Sequence, residues 1–170
     1  EKIKLRLTII DSYYSTQMSK RLFGIEEIAR KIDSISKDDE VILKKIDNFL
    51  NKGELNDNIV ELFKSKYGYN KKGEKFGVAQ SLISKYAYFL SNYNFPIYDS
   101  LAIDSYNILV NNNILVNNKF KIEKLIKNDV LEYFKKIKYL NELSEINNYD
   151  ILDNFLWLYG KLNKGSFSLV

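Results

Sequence analysis

Lys85 and Asp99 are the residues whose types and settings best suit covalent chemistry. Lys85 is flanked by Ile83, Tyr86 and Ala87. A lysine in apolar surroundings gives up its proton more readily, and a neutral amine can attack a carbon electrophile to form a Schiff base. Asp99 follows Phe95-Pro96-Ile97-Tyr98 and stands where a helix should begin. There a carboxylate accepts backbone N–H bonds, meets the positive end of the helix dipole and stays ionised. The same arrangement suits a carboxylate facing a developing cation. Each residue also has a plainer role: Lys85 as a lysine snorkelling from a half-exposed helix, Asp99 as a helix cap. Ser81, Lys85 and Tyr88 share a helical face by their spacing.

The elements that must position these groups read as helices. The stretch 77–91 carries Val78, Leu82, Tyr86 and Leu90 at helical spacing, with Ala79, Ile83 and Ala87 beside them. A link holding the only proline leads to a helix over 99–111, with Leu101, Ala102, Tyr106 and Leu109 inward. Upstream, residues 3–13 mix strand-like alternation with helical spacing and are expected to be a helix. Ser15-Thr16-Gln17 offers a cap for a short segment to Leu22, and Ile25, Ile28, Ala29 and Ile32 form a helical stripe to Ile35. Ser36 and Asp39 read as a capping box for a helix to Gly53, and Asn56-Asp57 opens another that ends near Gly68. Residues 64–75, with Lys64, Lys66, Lys71, Lys72, Lys75 and two glycines, are expected to be a loop. The hexapeptide 107–112 is repeated as 113–118, too short for a solenoid repeat, and reads as a frayed connection. The longest helix is expected over 120–140. A last one over 148–162, apolar on most sides, is expected to be buried and to end at Gly160 and Gly165. Its Trp157 is more simply a core residue than a binding one. The expected fold is all-α: one compact multi-helix domain over residues 1–170, of seven or eight helices.

Composition narrows the function classes. With 45% hydrophobic residues the chain can build a real core. Tyr supplies 13 of the aromatics, enough to line a groove as well as a core edge. The net charge of +4 favours anionic partners mildly. The lysine and asparagine bias that produces it also follows from AT-rich coding. The absence of cysteine and histidine excludes disulfides, thiol catalysis, Cys/His zinc sites and histidine bases. No cofactor or metal is expected. No apolar run approaches the roughly 20 residues of a membrane span, and the start has no signal-peptide pattern. Glu1 in place of Met fits a trimmed chain, and a cytoplasmic protein is expected.

Gly77-Val78-Ala79-Gln80-Ser81 followed by Phe95-Pro96-Ile97-Tyr98-Asp99 resembles the helix-hairpin-helix DNA glycosylase superfamily. Its pattern is a Gly-Val-Gly hairpin, a Lys or Ser at a helix start, and an Asp 18 residues later, the spacing from Ser81 to Asp99. Ser84-Lys85-Tyr86, Phe95 to Ser100 and Asp153 to Lys161 are similar to a bacterial 8-oxoguanine glycosylase-like branch. So are Ser15 to Met18 and Gly24 to Glu27. Where the family has its second hairpin glycine this chain has Ala79. The family's lysine falls at Ser81, one turn before Lys85.

The resemblance implies base excision from double-stranded DNA carrying a modified base. The target nucleotide is flipped into a pocket, Lys85 attacks C1′, and Asp99 stabilises the cationic sugar. Contacts to DNA are implied for Lys71, Lys72, Lys75 and Ser81, and base stacking for Trp157. Two rivals stand beside it: a catalytically inactive module of the same fold that binds nucleic acid or a protein partner, and an unrelated helical structural domain.

Overall fold

The computed structural model describes residues 1–52, 57–112, 114–115, 122–127 and 129–164. They fall into two compact units, Glu1–Phe95 and Pro96–Val170. Helices dominate both. The expectation of an all-α chain is corrected at one place, a two-stranded antiparallel sheet in the first unit.

In the first unit α1 (Lys2–Tyr14) packs on α2 (Gly24–Ile35). Leu7 and Ile10 of α1 and Ile28 and Ile32 of α2 point inward, which leaves Leu5, Ile9 and Tyr13 on the outer side of α1. The alternation of residues 3–9 is therefore not a strand. Between the helices the Asp11 carboxylate accepts from the Thr16 hydroxyl and from the Met18 N–H, tying a 3₁₀ turn (Met18–Lys20) to the end of α1.

The cap of α3 (Asp39–Asp47) is Asp38, which accepts from Glu40 N–H at 2.9 Å. Ser36, expected at that position, instead accepts from Asp38 N–H one step earlier. This frees Asp39 from capping, and it pairs with Lys2 and Arg6 of α1. After α3 the chain makes a wider π turn (Asn48–Lys52). The expected boundaries at Gly53 and Asn56 lie outside the described residues. In α4 (Asp57–Lys64), Ile59, Leu62 and Phe63 are buried, with the Phe63 ring stacked between Phe49 and Phe95.

The stretch expected to be a loop forms β1 (Lys66–Tyr69) and β2 (Lys75–Val78), paired from Lys66↔Val78 to Tyr69↔Lys75. Local chemistry accounts for the turn. The Asn70 side chain accepts from the N–H groups of Lys72 and Glu74, and Gly73 takes φ 79°. Tyr67 is buried and donates its hydroxyl to Leu62 O at 2.8 Å. Gly68 is the one residue type that fits its site: φ is 74°, and a Cβ would lie 2.8 Å from Arg21 Cβ and 3.0 Å from Gly24 Cα. β2 runs directly into α5 (Gln80–Leu90), so the expected helix start at Gly77 moves three residues on. Arg21 fastens this junction, donating to Gly77 O at 2.8 Å and Val78 O at 3.0 Å.

In the second unit α6 (Ser100–Asn111) is capped by Asp99 as expected, and packs on α8 (Tyr149–Asn163). Gly160 does not end α8. It sits inside the helix, where a Cβ would lie 2.6 Å from Ser105 Oγ and 3.1 Å from Leu101 O, so it sets how closely the two helices approach. The helix expected over 120–140 is α7 (Val130–Leu143), begun by the Asp129 carboxylate accepting from Glu132 N–H. The described residues 122–127 are not helical, and there Asn107 takes both backbone groups of Leu125: Oδ1 accepts from the N–H at 2.7 Å and Nδ2 donates to the C=O at 3.0 Å. The Leu125 N–H is thereby spent outside any intrahelical ladder. The repeated hexapeptide lies mostly outside the described residues. Tyr133, fully buried, donates its hydroxyl to Ile97 O.

The expectation that α8 is buried is corrected. Tyr149, Leu152, Leu156 and Gly160 face inward, whereas Ile151, Phe155, Leu158 and Leu162 form an exposed stripe. Among the described residues no helix is long and apolar enough to cross a membrane.

Candidate functional site

Lys85 lies in the middle of α5 and is 5% exposed. α1, α3 and α4 all pack against this helix, which explains why its lysine is enclosed rather than snorkelling. Its Nζ donates to Ser81 Oγ at 2.7 Å. The ammonium also sits over the Tyr14 ring, 5.1 Å from the centroid. A hydroxyl and a ring face together offer a buried amine both a lone pair and a negative quadrupole. Lys85 and Ser81 are thus joined, and Tyr14 belongs with them. Tyr14 was not legible as a partner, because its spacing on α1 says nothing of which helix lies opposite.

Ser81 is in the first turn of α5, half-buried. The cap residue there, Ala79, has no side chain to satisfy the first N–H groups of the helix. The neighbouring Ser84 is fully buried and donates to Ser81 O at 3.0 Å.

Asp99 accepts from Leu101 N–H at 2.7 Å, the capping bond its position implied. It is half-buried. It belongs to the second unit, whereas Lys85 and Ser81 belong to the first.

The three hairpin lysines are not equivalent. Lys71 and Lys72 are exposed in the turn between β1 and β2. Lys75 is engaged: its Nζ donates to both Glu27 oxygens at 2.7 and 2.8 Å and lies 4.3 Å from the Tyr69 ring centroid. The hydrogen bond to Glu27 raises the Lys75 pKa. Burial works against the Glu27 charge, but Lys75 and the Gly68 N–H outweigh it and hold the carboxyl below its usual range.

Trp157 is 43% exposed on α8, not a core residue, and Lys161 Nζ stands over its ring at 5.3 Å. It sits in the second unit, beside the exposed stripe of that helix. Among the described residues no three carboxylates converge in a way that would hold a metal ion. No family model, curated protein or solved structure matches the chain.

Proposed function

We propose that this chain is a DNA glycosylase-like protein that removes a modified base and cleaves the resulting site as a lyase. The observation that carries the reading is the enclosed Lys85 amine held on Ser81, at the helical position the superfamily pattern marks for its lysine or serine. Once the ammonium has passed its extra proton to solvent, the neutral Nζ forms a bond to C1′ of the flipped nucleotide while the C1′–N bond breaks. The base leaves with the bonding pair and is protonated by solvent. A proton passes from the attached nitrogen to O4′ as the C1′–O4′ bond breaks, which opens the sugar and gives the Schiff base, and loss of a C2′ proton expels the 3′-phosphate. Ser81 Oγ aims the amine by accepting its hydrogen bond. The family resemblance assigns to Asp99, fixed by its capping bond, the balancing of the cationic sugar. Lys71 and Lys72 supply phosphate contacts, with Lys75 committed mainly to Glu27.

Borohydride trapping on duplex DNA with an abasic or 8-oxoguanine site tests this. The expected result is a covalent adduct that disappears in Lys85→Ala. An adduct that persists in that variant removes Lys85 from the mechanism. The rival reading, an inactive nucleic-acid-binding module of the same fold, is favoured by one fact: the amine is 5% exposed and already engaged by Ser81 and Tyr14. Its signature is salt-dependent DNA binding with no adduct on any substrate. Lys71→Ala and Lys72→Ala, each deleting one cation from the DNA-facing turn, should then lower the salt slope by about 1 apiece.

A further inference from the structure

A second feature of the first unit adjoins the Lys85 site through Tyr14 but does not rest on its chemistry. α1, α3, α5 and the turn after α5 enclose a cleft of about 780 Å³ whose walls are chiefly aromatic. Tyr13, Tyr14, Phe89 and Tyr93 line it as a chain of ring contacts. Tyr13 meets Tyr14 edge-on at 4.9 Å, Tyr14 meets Phe89 at 5.9 Å, and Phe89 meets Tyr93 at 5.8 Å. The turn is built to place Tyr93. Asn92 and Tyr93 take φ 51° and 70°, and Tyr93 N–H returns to Tyr88 O at 2.7 Å. Two consecutive non-glycine residues in the left-handed region are costly and persist only where surrounding contacts over-determine them.

The polar end of the cleft is Arg6, Asp39 and Tyr86. Tyr86 is 2% exposed and its hydroxyl has no well-formed hydrogen bond among the described residues. Arg6 stands near enough to act on the phenol as a weak, poorly aligned donor and a positive charge, opposing the upward push of burial on its pKa, but falls short of a well-formed hydrogen bond. Arg6 meets Asp39 through Nη1 alone, at 3.0 Å to each oxygen. Lys2 pairs with the same carboxylate at 2.6 Å. Two cations against one carboxylate leave this end positive. A buried hydroxyl without a well-formed hydrogen bond and a guanidinium that meets Asp39 through one nitrogen can both donate to an acceptor oxygen.

The geometry points to a binding site for a planar aromatic carboxylate, its rings between the tyrosine and phenylalanine walls and its oxygens on Arg6 and the Tyr86 hydroxyl. The volume suits a small molecule of two or three rings, since such sites span roughly 300–1,000 Å³. A cationic aromatic, which a tyrosine cage would otherwise attract, meets Arg6 and is repelled.

Calorimetric titration with 2-naphthoate tests the proposal, with 2-naphthyltrimethylammonium as its cationic counterpart. Saturable single-site binding of the carboxylate is expected, weakened about tenfold by Arg6→Gln, which loses a charge-assisted bond. Tyr86→Phe separates a ligand role from a structural one: binding should weaken while the melting temperature holds or rises, since the variant deletes an unsatisfied buried hydroxyl. Tyr13→Ala, at a residue 80% exposed and so without risk to folding, should also weaken binding. Phe155→Ser on α8 should leave it unchanged. No binding of 2-naphthoate at low-millimolar concentration, tighter binding of the cation, or affinity indifferent to Arg6→Gln and Tyr86→Phe would each overturn the proposal.

Discussion

Lys85 Nζ donates to Ser81 Oγ at 2.7 Å across one turn of α5, inside a helix whose neighbours leave the lysine 5% exposed. The cost of disturbing this pair is asymmetric. Ser81→Ala removes an acceptor from a buried amine and should cost about 1–3 kcal/mol in urea unfolding. Lys85→Met keeps the volume, deletes the amine and should be neutral or stabilising, as when buried ionic groups are replaced by apolar ones. In the Lys85→Met background, Ser81→Ala should then cost little. Equal losses in both backgrounds would show that the hydroxyl matters for some other reason.

Gly160 tests how close packing competes with helix propensity. Alanine is favoured over glycine inside a helix by about 1 kcal/mol. Here its Cβ would meet Ser105 Oγ at 2.6 Å and Leu101 O at 3.1 Å. Ser105 has little room to yield, because its hydroxyl is shared between Leu101 O and Leu156 O. Overpacking of this kind costs about 1–3 kcal/mol, so Gly160→Ala should destabilise despite its better propensity. Adding Ser105→Ala should restore part of the loss. A Gly160→Ala protein that melts higher than the parent would contradict the close approach of α6 and α8.

Stability should respond to acid in a defined direction. The hydrogen bond from Lys2, with that from Arg6, holds the Asp39 carboxyl below its usual range, and Lys164 does the same for Asp104. Glu27 is held down by Lys75 and the Gly68 N–H against the opposing effect of burial. A carboxyl with a lowered folded pKa binds protons more tightly in the unfolded chain. Its contribution is present above the unfolded value, about 4, and is lost as pH falls through the folded one. Urea midpoints should therefore drop below about pH 4. With no His or Cys they should stay level from roughly pH 5.5 to 8.5. A midpoint that moved sharply inside that window would point to a group not accounted for.

The alkaline limb has the opposite sign. Burial pushes the phenols of Tyr106 and Tyr149 up to about 12. A phenol with a raised folded pKa stays protonated in the native state longer than in the unfolded chain. Its contribution is complete below about pH 10 and disappears as pH rises through the folded value. Tyrosinate absorbance should thus show an exposed class ionising first, followed by a buried class that ionises together with loss of helical circular dichroism. A single early step for every tyrosine would mean that the cores of both units are open to solvent.

Local chemistry was enough for much of the secondary structure. The stripe Ile25, Ile28, Ile32 predicts α2 to within a residue, and an aspartate after a proline-bearing link predicts the cap at Asp99, because periodicity and capping act within a few residues of chain. The grouping of Ser81 with Lys85 followed from helical spacing alone. Elsewhere a partner distant in sequence decided. Residues 66–78 look like a loop because each strand has only four residues, and pairing across the Asn70–Gly73 turn is what makes them strands. Residues 122–127 keep helical spacing, yet Asn107 claims Leu125's backbone. The apolar spacing of α8 is genuine, but which stripe it buries depends on α6, and Gly160 rather than bulk marks the contact. The enclosure of Lys85 beneath Tyr14, and the aromatic cleft with its orphan Tyr86 hydroxyl, are likewise absent from any local pattern. By itself the sequence determined most of the helical segments and the cap at Asp99, since those depend on neighbours along the chain. Only the tertiary structure decided which polar groups lose water and which rings face one another, since burial depends on what lies across the core.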